Sequence, residues 1–153
     1  MYFRSLFAAL FLFSIPSAAF AQIEPGLLAD AERGDANAQY FLGFMYANGK
    51  DVPKNDIEAV RLFRLAAEQG LADAQYALGF MYANGEGVPK NYTEAVKWFR
   101  LAAQQGYAEA QSNLSLTYAK GEGVLQNFVK AHAWMSMAAA QGNEKASKNK
   151  DSV

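Results

Sequence analysis

Ala72-Asp73-Ala74-Gln75-Tyr76-Ala77-Leu78-Gly79-Phe80-Met81-Tyr82-Ala83-Asn84-Gly85 decides the fold, because residues 36–49 carry it almost unchanged. The likeness extends well beyond this stretch. Residues 35–70 and 71–106 are identical at 26 of 36 positions. Residues 107–142 repeat the pattern with decay, and keep Ala110, Gln111, Leu114, Tyr118, Trp134 and Gly142 among others. Gly34, Gly70, Gly106 and Gly142 follow one another at intervals of 36 residues. A period of this length marks an array of supersecondary units, each too small to bury its apolar face alone.

Each unit reads as two helices. Helix A spans roughly 36–47, 72–83 and 108–119, where Ala38, Leu42, Met45 and Tyr46 recur at steps of three and four, the helical period. Asn48-Gly49 and Asn84-Gly85 end it, both residue types tolerating a left-handed conformation. Pro53 and Pro89 keep the next loop out of helix. Asn55 before Glu58, and Asn91 before Glu94, have capping-box spacing at the start of helix B. Helix B presents Ala59, Leu62, Phe63, Ala66 and Ala67 on one face. Gly43 and Gly79 sit in mid-helix, where glycine costs about 1 kcal/mol against alanine. Close approach of a second helix is the expected reason, and Ser115 keeps the third unit small at the same place.

The expected organisation is a capping segment over 22–34, repeats over 35–70 and 71–106, and a degenerate, more polar repeat over 107–142. A tail over 143–153 begins another unit with Glu144, Lys145 and Ala146, then fails and is expected to fray. Ahead of these lies a leader pattern. It comprises Arg4, an apolar run from Ser5 to Ile15, Pro16, and Ala19-Phe20-Ala21 as an A-x-A site. Residues 1–21 therefore read as a cleaved signal peptide, with Gln22 first in the mature chain and an uncleaved anchor as the alternative. The apolar run is shorter than the roughly 20 residues that span a bilayer, so no stable membrane insertion is expected after cleavage. The reading places the protein in the periplasm or outside the cell. With no cysteine in the chain, it is neither disulfide-linked nor a lipoprotein. Loss of Arg4 takes the formal charge from −1 to −2, which offers no basic footprint for nucleic acid.

The repeat resembles the Sel-one-like repeat (SLR) family, relatives of the tetratricopeptide repeats. The residues that carry the likeness are Ala74, Leu78-Gly79, Tyr82, Gly85 and Gly87-Val88, then Ala95, Trp98-Phe99, Ala102-Ala103 and Gly106. Departures are Asp51 for the second loop glycine of unit one, Leu62 for the aromatic at Trp98 and Trp134, and Ser115 for the helix A glycine. The resemblance implies an all-α, right-handed α/α solenoid of about three antiparallel helix pairs, with a concave face lined by A helices. It also implies a protein–protein adaptor, with alternatives in a small regulator or inhibitor of one target and in a β-lactam-acting enzyme. The last belongs to cysteine-rich members, and this chain lacks their cysteines.

Tyr40, Phe41 and Phe44 in unit one, and Tyr76 and Phe80 in unit two, lie away from the Leu–Tyr seam of helix A. They are candidates to anchor a partner peptide or helix in a groove, since aromatics bury much area at modest entropic cost. Packing between neighbouring A helices is the alternative. Asn48 and Asn84 could bond a partner backbone or make turns. Arg61, Arg64, Lys97 and Arg100 could form a basic stripe on helix B, or a solvated face offset by Glu58, Glu68 and Glu94. The single histidine, His132, takes the place of Val60 and Val96 and reads as structural. One histidine and no cysteine leave no zinc cluster of familiar spacing. Ser147 and Lys150 match a short Ser/Lys motif but lack every companion motif. No cofactor and no catalysis are expected. The oligomeric state is not legible.

Overall fold

The computed structural model describes residues 24–142. The leader over 1–21 with its cleavage site, residues 22–23, and the tail over 143–153 with Ser147 and Lys150 lie outside the described residues. In chain order the helices are α1 (Pro25–Glu32), α2 (Ala36–Asn48), α3 (Asp56–Glu68), α4 (Ala72–Asn84), α5 (Tyr92–Gln104), α6 (Ala108–Lys120) and α7 (Phe128–Ala140). Among the described residues all regular structure is helical. Each helix packs on the one before and the one after it. The result is an all-α solenoid of three helix pairs, α2–α3, α4–α5 and α6–α7, with α1 against α2.

The A helices α2, α4 and α6 run one residue further than their apolar pattern, to Asn48, Asn84 and Lys120. Each then stops at a left-handed glycine, Gly49, Gly85 or Gly121. The B helices start on asparagine caps. Asn55, Asn91 and Asn127 accept through Oδ1 from the backbone N–H of Glu58, Glu94 and Lys130, at 3.1, 3.1 and 2.9 Å. Only this half of the capping box forms. The backbone N–H that a reciprocal glutamate would need already donates to a carbonyl at the end of helix A, Tyr46, Tyr82 or Tyr118. Glu58 and Glu94 pair instead with Arg61 and Lys97. Lys130 at the third position therefore costs unit three no cap. A cap not anticipated from sequence is Asp35, whose carboxylate accepts from Ala38 N–H at 2.8 Å to start α2.

Within each pair, the mid-helix glycine meets an aromatic ring. A Cβ on Gly43 would lie 2.9 Å from the Phe63 ring, and one on Gly79 would lie 2.7 Å from Phe99. Phe63 and Phe99 are buried. In unit three the ring becomes Met135, and the space admits Ser115, whose Oγ donates to Ala131 O at 2.6 Å. Glycine with phenylalanine, or serine with the more adaptable methionine, thus fill the same volume.

Between pairs, a glutamine relay runs through the stack. Gln39, Gln75 and Gln111 are buried. Each Nε2 donates back to the last turn of the preceding helix, to Ala31, Ala67 and Ala103 O at 3.2, 3.2 and 3.1 Å. Each Oε1 accepts from a glutamine just past the following B helix, Gln69, Gln105 and Gln141, at 2.8, 2.8 and 2.6 Å. One side chain therefore ties three consecutive helices.

We expect Gly79→Ala to lower unfolding free energy by about 1–2 kcal/mol, since overpacking outweighs the gain in helix propensity. Adding Phe99→Met, the pairing of unit three, should recover at least half of that loss in urea denaturation.

Candidate functional site

Every A-helix position has a counterpart 36 residues on, so each outward position forms a row across α2, α4 and α6. Four rows lie on one outward side of these helices, their members exposed or partly exposed: Asn37–Asp73–Glu109, Phe41–Ala77–Asn113, Phe44–Phe80–Leu116 and Asn48–Asn84–Lys120. Phe41, Phe44 and Phe80 are 56%, 47% and 44% exposed, and Leu116 is partly exposed. At about 25 cal/mol per Å², wet aromatics give up stabilisation that the fold could have used.

Tyr40 and Tyr76 sit deeper, half-buried. Their rings lie 5.8 Å from those of Phe63 and Phe99, and Tyr40 also meets Phe41 at 5.6 Å. Tyr76 stacks on Tyr107 at 5.1 Å and accepts through its hydroxyl from Asn113 Nδ2 at 3.3 Å. In unit three the place is taken by Ser112, buried and donating to Ala108 O. The five aromatics singled out in the sequence are therefore brought to one side of the A helices at two depths, the phenylalanines outside and the tyrosines beneath. Asn48 Nδ2 donates to its own Phe44 O at 2.8 Å, and Asn84 Nδ2 to Glu86 Oε1 at 3.4 Å. Both amide donors are engaged close to their own turns.

Repeat comparison passed over Tyr107 and Asp73. Tyr107 falls at a unit boundary where the other units carry Asp35 and Leu71, so alignment discards it as variable. An aromatic confined to one unit at such a boundary was the available signal. Burial raises the Tyr107 phenol far above its ordinary value, and the Asp73 carboxylate beside it adds to the rise. Burial likewise raises Tyr40, with Asp73 contributing. Tyr76 is raised by burial and by Glu109, against a lowering hydrogen bond from Asn113.

On the B helices the cations are committed. Arg61 and Lys97 pair with Glu58 and Glu94 one turn back. Arg64 and Arg100 donate to the hydroxyls of Tyr82 and Tyr118 in the next unit, at 2.7 and 3.2 Å. Ala133 and Ser136 hold the equivalent positions in α7, so these cations do not continue into a third unit. His132 is exposed where Val60 and Val96 are buried, because no further A helix follows α7 among the described residues. Among those residues no His, Cys, Asp and Glu group is placed to hold a metal ion, and no helix is long and apolar enough to cross a membrane.

The Sel1 repeat model matches this chain three times, at residues 36–71, 72–107 and 108–143. Among solved structures, a Sel1 repeat protein from Oxalobacter formigenes is 45% identical and superposes with a TM-score of 0.76, over 84% of this chain and 96% of that one. A protective antigen of uropathogenic Escherichia coli with an SLR fold is 39% identical, with a TM-score of 0.78, over 85% of this chain; the chain spans only 30% of that longer protein. Cysteine-rich protein B of Helicobacter pylori shares the fold at 20% identity and a TM-score of 0.66, over 84% of this chain and 98% of that one. No curated protein matches the chain in sequence.

The two depths should separate in stability measurements. Phe80→Ser is expected to change unfolding free energy by about 0.5 kcal/mol or less, and Tyr76→Ala to cost about 2 kcal/mol. The raised phenols also set an alkaline limit. Tyr107 in the unfolded chain ionises near its ordinary value of 10.0, so the unfolded state loses that proton first. Stability is then full below that pH and falls as pH rises beyond it. Urea midpoints at pH 8 and pH 11 should show the fall, and Tyr107→Phe should make it shallower.

Proposed function

The chain belongs to the Sel1 repeat family, and on that premise we propose that it is an exported, non-catalytic scaffold that holds a protein partner on the face of its A helices. Sel1 repeat proteins are in general protein-interaction scaffolds, and this chain carries their repeat over residues 36–143. The observation that carries the finer reading is the row Phe44–Phe80–Leu116. It keeps apolar side chains at the surface in all three units, while the core is already filled by the seam beneath it. A rigid row of large apolar groups on neighbouring helices suits a peptide or helix laid across them. Repeats of this kind curve, and the row belongs on the concave side of that curve.

The adaptor works by presentation, because its buried glutamines and its B-helix cations are engaged within the stack. The buried glutamines are hydrogen-bonded within the relay, and the B-helix cations are engaged on carboxylates and tyrosines. Export rests on the Arg4 and Ser5–Ile15 pattern with its Ala19-Phe20-Ala21 site, which puts the working place in the periplasm or outside the cell.

One experiment tests both parts. A photo-crosslinking amino acid replaces Phe80 in one strain and Glu68, on the B-helix side, in another. After irradiation of intact Gram-negative cells, adducts are recovered and sequenced. We expect discrete adducts from position 80 only, on a chain that begins at Gln22. Equal crosslinking from position 68 would remove the A-helix face from the reading, and adducts made only with cytoplasmic proteins would remove export, whereas a retained Met1 would remove only cleavage after Ala21.

A further inference from the structure

We propose that the partner segment is amphipathic and basic: its apolar side chains lie on Phe44, Phe80 and Leu116, and its lysines or arginines meet Asp73 and Glu109 beside Tyr76 and Tyr107. This rests on the A-helix face being the binding surface, and adds the chemistry of what binds there.

The charge pattern carries the inference. Among the described helices, Asp30, Asp56, Glu58 and Glu94 pair with Arg33, Lys54, Arg61 and Lys97, whereas Glu32, Glu68, Asp73 and Glu109 have no cation within ion-pair distance among the described residues; of these four, only Asp73 and Glu109 lie on the A helices. They stand in the same row of consecutive A helices, so their negative potentials add along one edge of the face. The four rows hold no cation until Lys120, at the far edge of unit three.

Geometry places this edge where an amphipathic partner needs it. Asp73 and Phe80 are separated by two turns on one face of α4, as are Glu109 and Leu116 on α6, a rise of about 10 Å. That matches the diameter of a helix lying across the A helices, about 10–12 Å. One flank of such a helix reaches the carboxylates while its underside covers the apolar row. The rings of Tyr76 and Tyr107, stacked at 5.1 Å, lie beside these acids, with Asp73 next to the Tyr107 hydroxyl and Glu109 close to both phenols. A carboxylate beside an aromatic face receives a lysine or guanidinium better than either group alone.

The test uses three fluorescein-labelled 18-residue amphipathic peptides, built from Leu and Lys, Leu and Glu, and Ser and Lys. Each is titrated with the purified full chain by fluorescence anisotropy. We expect the Leu/Lys peptide to bind at least about tenfold more tightly than the other two. Asp73→Asn with Glu109→Gln should weaken it by about tenfold, and Glu68→Gln, the same charge change on the B-helix side, by less than about twofold. Melting by circular dichroism checks that the variants are folded. Equal affinity for Leu/Lys and Leu/Glu, equal effects of the two sets of acid variants, or binding by neither leucine peptide overturns the proposal. The two readings fail differently. If Phe44→Ala with Phe80→Ala weakens both leucine peptides alike, the face stands and its preference for cations falls. If that variant leaves Leu/Lys binding unchanged, the face itself falls.

Discussion

A phenylalanine ring pressed against bare helix backbone sets the spacing of each of the first two helix pairs. The Phe63 ring lies 2.9 Å from where the Cβ of residue 43 would be, and Phe99 lies 2.7 Å from that of residue 79. This approach brings the alanine seam into contact, and Ala59, Ala66, Ala95, Ala102 and Ala138 are all shut off from solvent. Small residues on both sides of a helix pair leave few ways to pack it. Unit three reaches the same approach by other means. Met135 replaces the ring, and the Ser115 hydroxyl finds a carbonyl rather than remaining an unpaired polar group.

Close pairs alone do not make a solenoid, because each pair must also be aimed at the next. The glutamine relay does this with polar groups. A buried amide is costly unless its donors and acceptor are used, and Gln75 satisfies them only when α3, α4 and the end of α5 stand in one arrangement. The loops add a steric check. Gly87 and Gly123 lie against the backbone of Asp56 and Tyr92 in the preceding unit, where any side chain would collide. The equivalent residue of unit one, Asp51, keeps the left-handed backbone with φ of 62°. Asp51 is exposed.

Part of the variation between units falls on the outward rows of the A helices. There the units diverge most usefully: Phe41, Ala77 and Asn113 differ in size and polarity, and Asn37, Asp73 and Glu109 differ in charge. The scaffold holds these differences at fixed separations. Part of this face was legible beforehand, because Phe44 and Phe80 repeat at a position off the buried seam. The depth difference between Phe80 and Tyr76 was not, since it depends on Phe99 and Tyr107 reaching Tyr76 from other helices.

By itself, the sequence determined the helix pairs, their period, the asparagine caps of the B helices and the need for stacking. All of these come from local periodicity and from one segment copying another. It also implied that Gly43 and Gly79 face something close. Which group that is, which half of each capping box forms, and why Gln39, Gln75 and Gln111 recur were decided only in the tertiary structure. Each depends on partners from another helix, as many as 30 residues away in the relay. A repeat shows that a position matters in every unit. It does not show whether the position matters to the unit itself, to its neighbour or to a partner, because those three constraints leave the same mark on an aligned column and differ only in space.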